Sequence, residues 1–291
     1  MADAARTAGV LKTSALTVAA LTAFAANSIL CRLALRSGAI DAASFTSIRM
    51  ASGAVTLLLI LAFARRSRPA VTTARDRWIA AALLFLYAAP FSFAYLKLSA
   101  GTGALILFAC VQATMLIGAF RSGERFNWAE ALGLAIALAG LTYLVSPGLS
   151  APSPLGSALM AIAGISWGIY SLRGRGSADP LGNTASNFVR AVPLALFVSL
   201  VAAHDAHISP RGIALASASG ALASGLGYTV WFAALRGLTA IRASTVQLTV
   251  PVLAAAGGVL LLQESVTMRL VVSAALVLGG VGLALAGRAR K

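Results

Sequence analysis

Phe45-Thr46-Ser47-Ile48-Arg49-Met50-Ala51-Ser52 and, about 140 residues later, Asn187-Phe188-Val189-Arg190-Ala191-Val192-Pro193-Leu194 are the stretches that decide the fold. Each belongs to an apolar run, Phe45 to Ile60 and Asn187 to Leu200, that carries one lone arginine. The echo continues downstream. Gly123-Glu124 precedes an apolar run ending in Ala139-Gly140-Leu141, and Gln263-Glu264 precedes one with Gly279-Gly280-Val281. Each copy, 1–150 and 151–291, holds five apolar segments. An odd number forces the second copy to enter a membrane upside down. Inverted duplication places a substrate site near the midplane, between the halves.

Composition sets the class. The chain is 59% hydrophobic and 11% charged, with a mean hydropathy of +0.88, whereas soluble domains are about a quarter charged. Ten spans are predicted: Ala15 to Arg32, Ala43 to Phe63, Trp78 to Leu96, Thr102 to Phe120, Trp128 to Val145, Leu155 to Leu172, Leu181 to Ala202, Ile213 to Leu235, Ala243 to Leu262 and Leu270 to Ala286. Each is near the ~20 residues a helix needs to cross the hydrocarbon core. Barrel strands would alternate apolar and polar residues, and these segments do not. The expected fold is an all-α integral membrane protein, two inverted five-helix repeats around a central cavity.

A net charge of +15 raises nucleic-acid binding. Its distribution argues against that partner. With the N-terminus in the cytoplasm, the inside receives Arg6, Lys12, Arg65, Arg66, Arg68, Arg75, Arg77, Arg121, Arg125, Arg173, Arg175, Arg236, Arg242, Arg288, Arg290 and Lys291. The outside receives Arg32, Arg36, Lys97, Arg211 and Arg269. This roughly threefold bias follows the positive-inside rule. The expectation is a multi-pass protein of a bacterial-type inner membrane, both termini cytoplasmic, with the lipid bilayer and a small-molecule substrate as partners. A monomer is compatible with this reading.

Several patterns are decoys. Arg6, Lys12 and Ala23-Phe24-Ala25 resemble a signal peptide and its cleavage site, but the apolar run continues to Leu35. Gly164-Ile165-Ser166-Trp167-Gly168 matches a nucleophile elbow, which needs a strand, a turn and a helix. Here it lies within an apolar helix, far in sequence from His204 and His207, so no catalytic residue is assigned and an enzyme is not expected. Gly164 and Gly168 read instead as a small-residue face for close helix packing. His204, Asp205 and His207 read as a solvated loop rather than a metal site. Cys31 and Cys110 have no metal-ligand spacing and read as packing residues. No metal and no cofactor is expected.

The membrane interior carries the functional information. All eight acidic residues fall in tails, loops or helix ends. The missing midplane carboxylate counts against a proton-coupled exporter of cationic drugs. Arg49 and Arg190 read first as snorkelling, or as bonded to helix ends in the other half; the alternative is that they hold a substrate carboxylate or gate the two sides. Tyr87, Phe91 and Tyr95 share one face of span three. Tyr228, Trp231 and Phe232 lie in span eight, and Trp167 and Tyr170 in span six. Asn27, Ser28, Gln112 and Gln247 are amides and a hydroxyl that need partners in lipid. Rings with a few fixed hydrogen-bonding groups make the usual small-molecule site. Pro90, Pro193 and Pro251 are predicted to kink spans or hinge closure. Glu124 and Glu264 are expected to start helices five and ten, where a carboxylate suits the dipole.

On these residues the chain resembles the drug/metabolite transporter superfamily, in its ten-helix EamA-type branch. The resemblance covers nearly the whole chain. It rests on the second-helix arginines, the Glu after each fourth helix, the Gly-rich fifth helices, Trp167-Gly168 and Pro251. Two departures make the halves unequal: Ala25-Ala26 stands where Trp-Gly would be expected, and Val111 stands opposite Pro251. The resemblance implies a basket whose cavity is framed by helices one, three, four, six, eight and nine, with five and ten peripheral. Within the branch, the chain is similar to YddG-type aromatic amino-acid exporters. The expected function is export of aromatic or large neutral amino acids and related metabolites by alternating access. The rival is a multidrug exporter of aromatic or quaternary cations, bound by cation–π contact. A membrane receptor or scaffold is a third reading, and it would bind without flux.

Overall fold

The computed structural model describes residues 2–64, 73–121, 128–146, 151–175, 177–238, 242–243 and 246–289. Gly123-Glu124, Pro147 to Ser150, and the basic residues Arg65, Arg66, Arg68, Arg125, Arg290 and Lys291 lie outside them. Ten helices run through the described residues: α1 (Ala2–Arg36), α2 (Ala42–Ala64), α3 (Ala74–Ala94), α4 (Ala100–Arg121), α5 (Trp128–Val145), α6 (Pro154–Gly174), α7 (Pro180–Val201), α8 (Pro210–Leu235), α9 (Thr249–Leu262) and α10 (Met268–Ala289). Seven are long and apolar enough to cross a membrane, and α5, α9 and α10 carry the shorter apolar stretches Ala131–Leu144, Thr249–Leu262 and Met268–Gly280. The chain is therefore an all-helical, multi-pass membrane protein.

Starts and stops follow local chemistry. Pro154, Pro180 and Pro210 each open a helix, where a missing N–H costs nothing. Ser153, Asp179 and Ser209 cap those helices by accepting from the N–H of Gly156, Gly182 and Gly212. Asp41 does the same for α2 through the Ser44 N–H at 2.8 Å.

The helix pairings interlock the two halves. α5 packs on α10, α2 on α7, and α4 on α9. α1, the first helix of one half, packs on α8 and α9 of the other, while α6 packs on α3 and α4. That reciprocity is what two inverted copies related by a pseudo-two-fold axis produce. α5 and α10 touch the rest mainly through α4, so the pair is peripheral. Van der Waals packing has to hold helices together where lipid is as apolar as leucine. Small residues permit it: a Cβ on Gly164 would run into the Leu107 carbonyl of α4 and lie 2.8 Å from Cys110 Cβ.

Four sequence expectations need correction. α1 starts at Ala2 rather than Ala15, and no proline interrupts the Ala-rich segment before it. The ninth span is helical at Ala243, as expected, but is interrupted: Arg242, Ala243 and Val246 are helical, Gln247 and Leu248 form a turn, and α9 runs from Thr249. The break falls at Gln247, four residues before Pro251, where a proline's missing N–H and its clash with the carbonyl interrupt a helix; Pro90 and Pro193 lie inside α3 and α7. Tyr95 is the residue after α3, not part of it. Glu264 does not start α10. Gln263 adopts φ 51°, which turns the chain back, and Glu264 accepts instead from the Ala100 N–H at the start of α4 (2.8 Å). Thr267 takes the capping place at α10, accepting from the Leu270 N–H at 3.2 Å.

Candidate functional site

The helix pairings bring eight rings towards one centre. Phe24 of α1 is at its middle, with centroids 5.4 Å from Trp167, 5.8 Å from Tyr228, 5.6 Å from Trp231 and 6.4 Å from Phe108. Tyr87 lies 5.1 Å from Trp167 and 5.4 Å from Phe91, and Trp167 lies 4.6 Å from Tyr228. Phe188 reaches in from α7, 5.8 Å from Tyr228. Edge and tilted contacts dominate, as the ring quadrupole favours. All of these side chains are buried. In this conformation the rings close the centre instead of lining an open chamber.

Arg49 stands beside the rings and is 0% exposed. Its Nε donates to Ser224 Oγ at 3.0 Å, and its Nη2 donates to the hydroxyls of Tyr87 (3.0 Å) and Tyr228 (2.8 Å). Its guanidinium carbon lies 5.1 and 5.0 Å from the ring centroids of Tyr87 and Phe91. Arg49 therefore neither snorkels nor bonds helix ends. Arg190 differs: it is half-buried and donates to the carbonyl and hydroxyl of Ser186 on its own helix. The matching places of the two arginines in the sequence do not become matching environments. The pseudo-symmetry relates backbones, while partners are set by side chains that differ between halves.

The network extends to other helices. Asn27 donates to the Tyr87 hydroxyl (3.0 Å) and accepts from Ser219 (2.6 Å). Gln247 accepts from Trp167 Nε1 at 3.1 Å and donates to the Ala243 carbonyl at 3.2 Å. Gln112 is buried, and its Oε1 has no partner among the described residues. It lies one turn beyond Phe108 on the buried face of α4. Trp231 Nε1 is buried with no partner among the described residues as well.

α8 supplies Ser219 and Ser224 from a π-helical stretch, Ser219–Leu226. Such stretches are uncommon and recur at functional sites. Gly220 in it packs so tightly on α2 that a Cβ would run into the Arg49 carbonyl and Ser52 Oγ. The close approach delivers the Ser224 hydroxyl to Arg49.

Polar contacts close the face that bears Asp41. There the loops after α1 and α7 pair through Ile40 and Ile208, through reciprocal bonds of Asp41 with the His207 backbone (both 3.1 Å), and through Ser209 N–H to the Ala39 carbonyl (2.9 Å). Burial pushes the Asp41 carboxyl up, but hydrogen bonds from Ser44 and His207 outweigh it and hold the group below its ordinary 3.8. Glu264 adds an ion pair with Arg32 at 3.0 Å, and Arg32 also donates to the Tyr95 carbonyl at 2.7 Å. His204 and Asp205 form an exposed pair in a short 3-10 turn (Ala203–Asp205), and among the described residues no group of three or more His, Cys, Asp or Glu is arranged to hold a metal.

The opposite face carries a vestibule of about 100 Å³, lined by Asp76, Arg77, Tyr170, Arg173, Asn187 and Phe232 among others. Ligand pockets span about 300–1,000 Å³, so this is an entrance and not a full site. Tyr170 forms part of its wall, accepts from Asn187 at 3.1 Å, and lies 5.6 Å from Trp167 at the centre. Asp76 and Arg173 meet at its mouth at 2.8 Å.

Of the residues singled out from the sequence, Asn27, Tyr87, Phe91, Trp167, Tyr228, Trp231 and Gln247 join the ring cluster or its polar rim, with Arg49. Tyr170 belongs to the vestibule. Tyr95 sits at the Asp41 face, 4.8 Å from Phe91, its hydroxyl donating to the Ala100 carbonyl at 3.4 Å. Phe24, Phe188, Ser219 and Ser224 were not singled out. Phe24 lies one turn before Asn27 and Ser28, and that spacing was its signal.

Comparison with known proteins follows the geometry. The model of the EamA-like transporter family matches residues 11–146 and again 154–286. "Uncharacterized protein PA1977" of Pseudomonas aeruginosa is 51% identical over 277 residues, covering 95% of this chain and 96% of its own length. "Uncharacterized transporter YoaV" of Bacillus subtilis is 24% identical over 247 residues, covering 81% and 85%. A crystal structure of a protein 21% identical superposes with a TM-score of 0.68 over 96% of this chain and 99% of its own; that likeness concerns the fold.

Proposed function

The chain belongs to the EamA-like transporter family, and we propose that within it this protein is an inner-membrane carrier exporting aromatic or large neutral amino acids by alternating access. The observation that carries the reading is the buried centre. Rings from α1, α3, α4, α6, α7 and α8 meet there beside Asn27, Gln112, Gln247 and Arg49. An aromatic side chain finds stacking partners in it, and a zwitterionic head finds fixed donors and acceptors.

The two ends of the protein fit one stage of the cycle. The Asp41 face is locked by loop pairing and the Arg32–Glu264 pair, while the Asp76 face is open at the vestibule. The charge bias of the sequence supports a cytoplasmic Asp76 face, and on that orientation this conformation is ready to load from inside. Tyr170 and Trp167 form the step from vestibule to centre.

A cation exporter is the rival use of the same rings. Arg49 argues against it. Its positive charge already occupies the Tyr87 and Phe91 faces, and no carboxylate of the described residues enters the centre to offset a second cation.

Uptake of labelled phenylalanine into proteoliposomes of the purified protein, with and without a pH gradient, tests the reading. Saturable uptake that unlabelled aromatic amino acids block supports it. Uptake no greater than in empty liposomes, or blocked only by quaternary ammonium compounds, overturns it.

A further inference from the structure

We propose that Arg49 is the anchor for the carboxylate of the transported solute, with Nη1 as the binding atom. The inference deepens the amino-acid reading and rests on the same centre.

Three observations converge on it. First, the charge is buried and uncompensated: Arg49 is 0% exposed, and its hydrogen-bond partners are the neutral hydroxyls of Ser224, Tyr87 and Tyr228. A guanidinium does not lose its proton in a protein, so the centre holds a fixed positive charge. Second, Nη1 is buried with no partner among the described residues, although Nε and Nη2 are bonded. A buried donor without an acceptor is costly, and an ionised one is more so. A carboxylate would relieve both the missing charge and the missing bond, since planar guanidinium–carboxylate pairing is the strong form of this contact.

Third, the surroundings favour one orientation of such a solute once the centre opens. Tyr87 and Phe91 both lie to one side of the guanidinium, 5.4 Å from each other, and Nε and Nη2 are already bonded, so the Nη1 corner is left for an anion. The rings of Phe24, Trp167 and Trp231 lie beyond Tyr87 and Tyr228 and suit the apolar end of the solute. Gln112 Oε1, a buried acceptor without a partner on α4, complements an ammonium. Arg190 cannot duplicate the role, because its guanidinium turns back on Ser186. The protein therefore has one anchor, contributed by the first half and oriented by hydroxyls from α3 and α8.

The test uses the purified full chain and a graded set of probes. Thermal stabilisation is measured with phenylalanine, 3-phenylpropionate, phenylalaninamide, phenethylamine and inorganic phosphate. The expected result is stabilisation by the two carboxylates and none by the amide, the amine or phosphate. In R49Q, apparent affinity for 3-phenylpropionate falls by about 30-fold or more, and R49K recovers part of it. R49K keeps the charge and serves if R49Q does not fold; the probe series on the parent protein needs no variant. Equal stabilisation by amide and acid, stabilisation by phosphate alone, no stabilisation by either carboxylate, or an unchanged acid preference in R49K and R49Q each overturns the proposal. Should phenylalanine be transported while the amide competes equally, the anchor fails and the carrier reading stands. Should 3-phenylpropionate bind through Arg49 without any amino-acid flux, the anchor stands and the amino-acid reading fails.

Discussion

Glu264→Ala should destabilise the protein by about 1.5–3 kcal/mol and loosen the closed Asp41 face. The carboxylate makes two separate contacts. One oxygen accepts from the Ala100 N–H at 2.8 Å, taking the capping role at α4, and losing a helix cap costs about 0.5–2 kcal/mol. The other meets Arg32 Nε at 3.0 Å with side chains only 17% and 9% exposed. That pair is less screened than a surface pair worth ~0–1 kcal/mol. Arg32 keeps the Tyr95 carbonyl, so it is not stranded, and about 1 kcal/mol is the fitting share. Thermal unfolding in detergent reads the sum, roughly 2–5 °C by the size scaling of globular proteins. Glu264→Gln keeps an acceptor for Ala100 and should lose about half as much. A double-mutant cycle with Arg32→Ala isolates the pair. An Ala variant as stable as the parent refutes the reasoning, as does one equally destabilised with or without Arg32. Loss confined to α10 would restore the sequence-based view of Glu264 as the start of that helix.

Other outcomes follow from the same structure. Gly164→Ala forces α4 and α6 apart at the Leu107 carbonyl and should cost about 1–3 kcal/mol as overpacking; Gly279→Ala, with nothing within 4 Å, should be neutral or stabilising in the same unfolding assay. Asp41 has its carboxyl held below 3.8, so its contribution to loop docking is fully present above that value and lost as pH falls through the lower folded value. Hydrogen exchange at the His207 and Ser44 amides should thus be flat from about pH 5 to 8 apart from the intrinsic rate, and protection that fades near pH 6 would contradict the assignment. Trp167→Ala, Tyr87→Ala and Gln247→Ala should each raise the KM for transport more than tenfold, about 1.4 kcal/mol or more; normal kinetics in all three would move the site elsewhere.

Span count, class and internal inversion were legible because they are local or nearly so. Hydropathy and run length mark a helix that crosses lipid, and an odd number of spans per copy dictates inversion. The Tyr87, Phe91 stripe and the lone amides were legible for the same reason, since helical spacing fixes which residues share a face. Errors clustered where a distant partner decides. Glu264 sits beside α10 in sequence, but the left-handed Gln263 aims it at α4. Ala23-Phe24-Ala25 looks like a cleavage site until α1 docks on α8 and α9 and Phe24 becomes the middle of the ring cluster.

Arg49 and Arg190 mark the division most sharply. The sequence by itself determined that two arginines lie in corresponding membrane spans, because that needs only the repeat and the hydropathy of the flanking residues. Only the tertiary structure decided that one is sealed among hydroxyls while the other turns back on its own helix. The partners of Arg49 are 38, 175 and 179 residues away along the chain. A π-helical turn in α8 and the close approach at Gly220 bring them together. Hydropathy is additive along a segment, but a buried charge takes its meaning from what surrounds it in space.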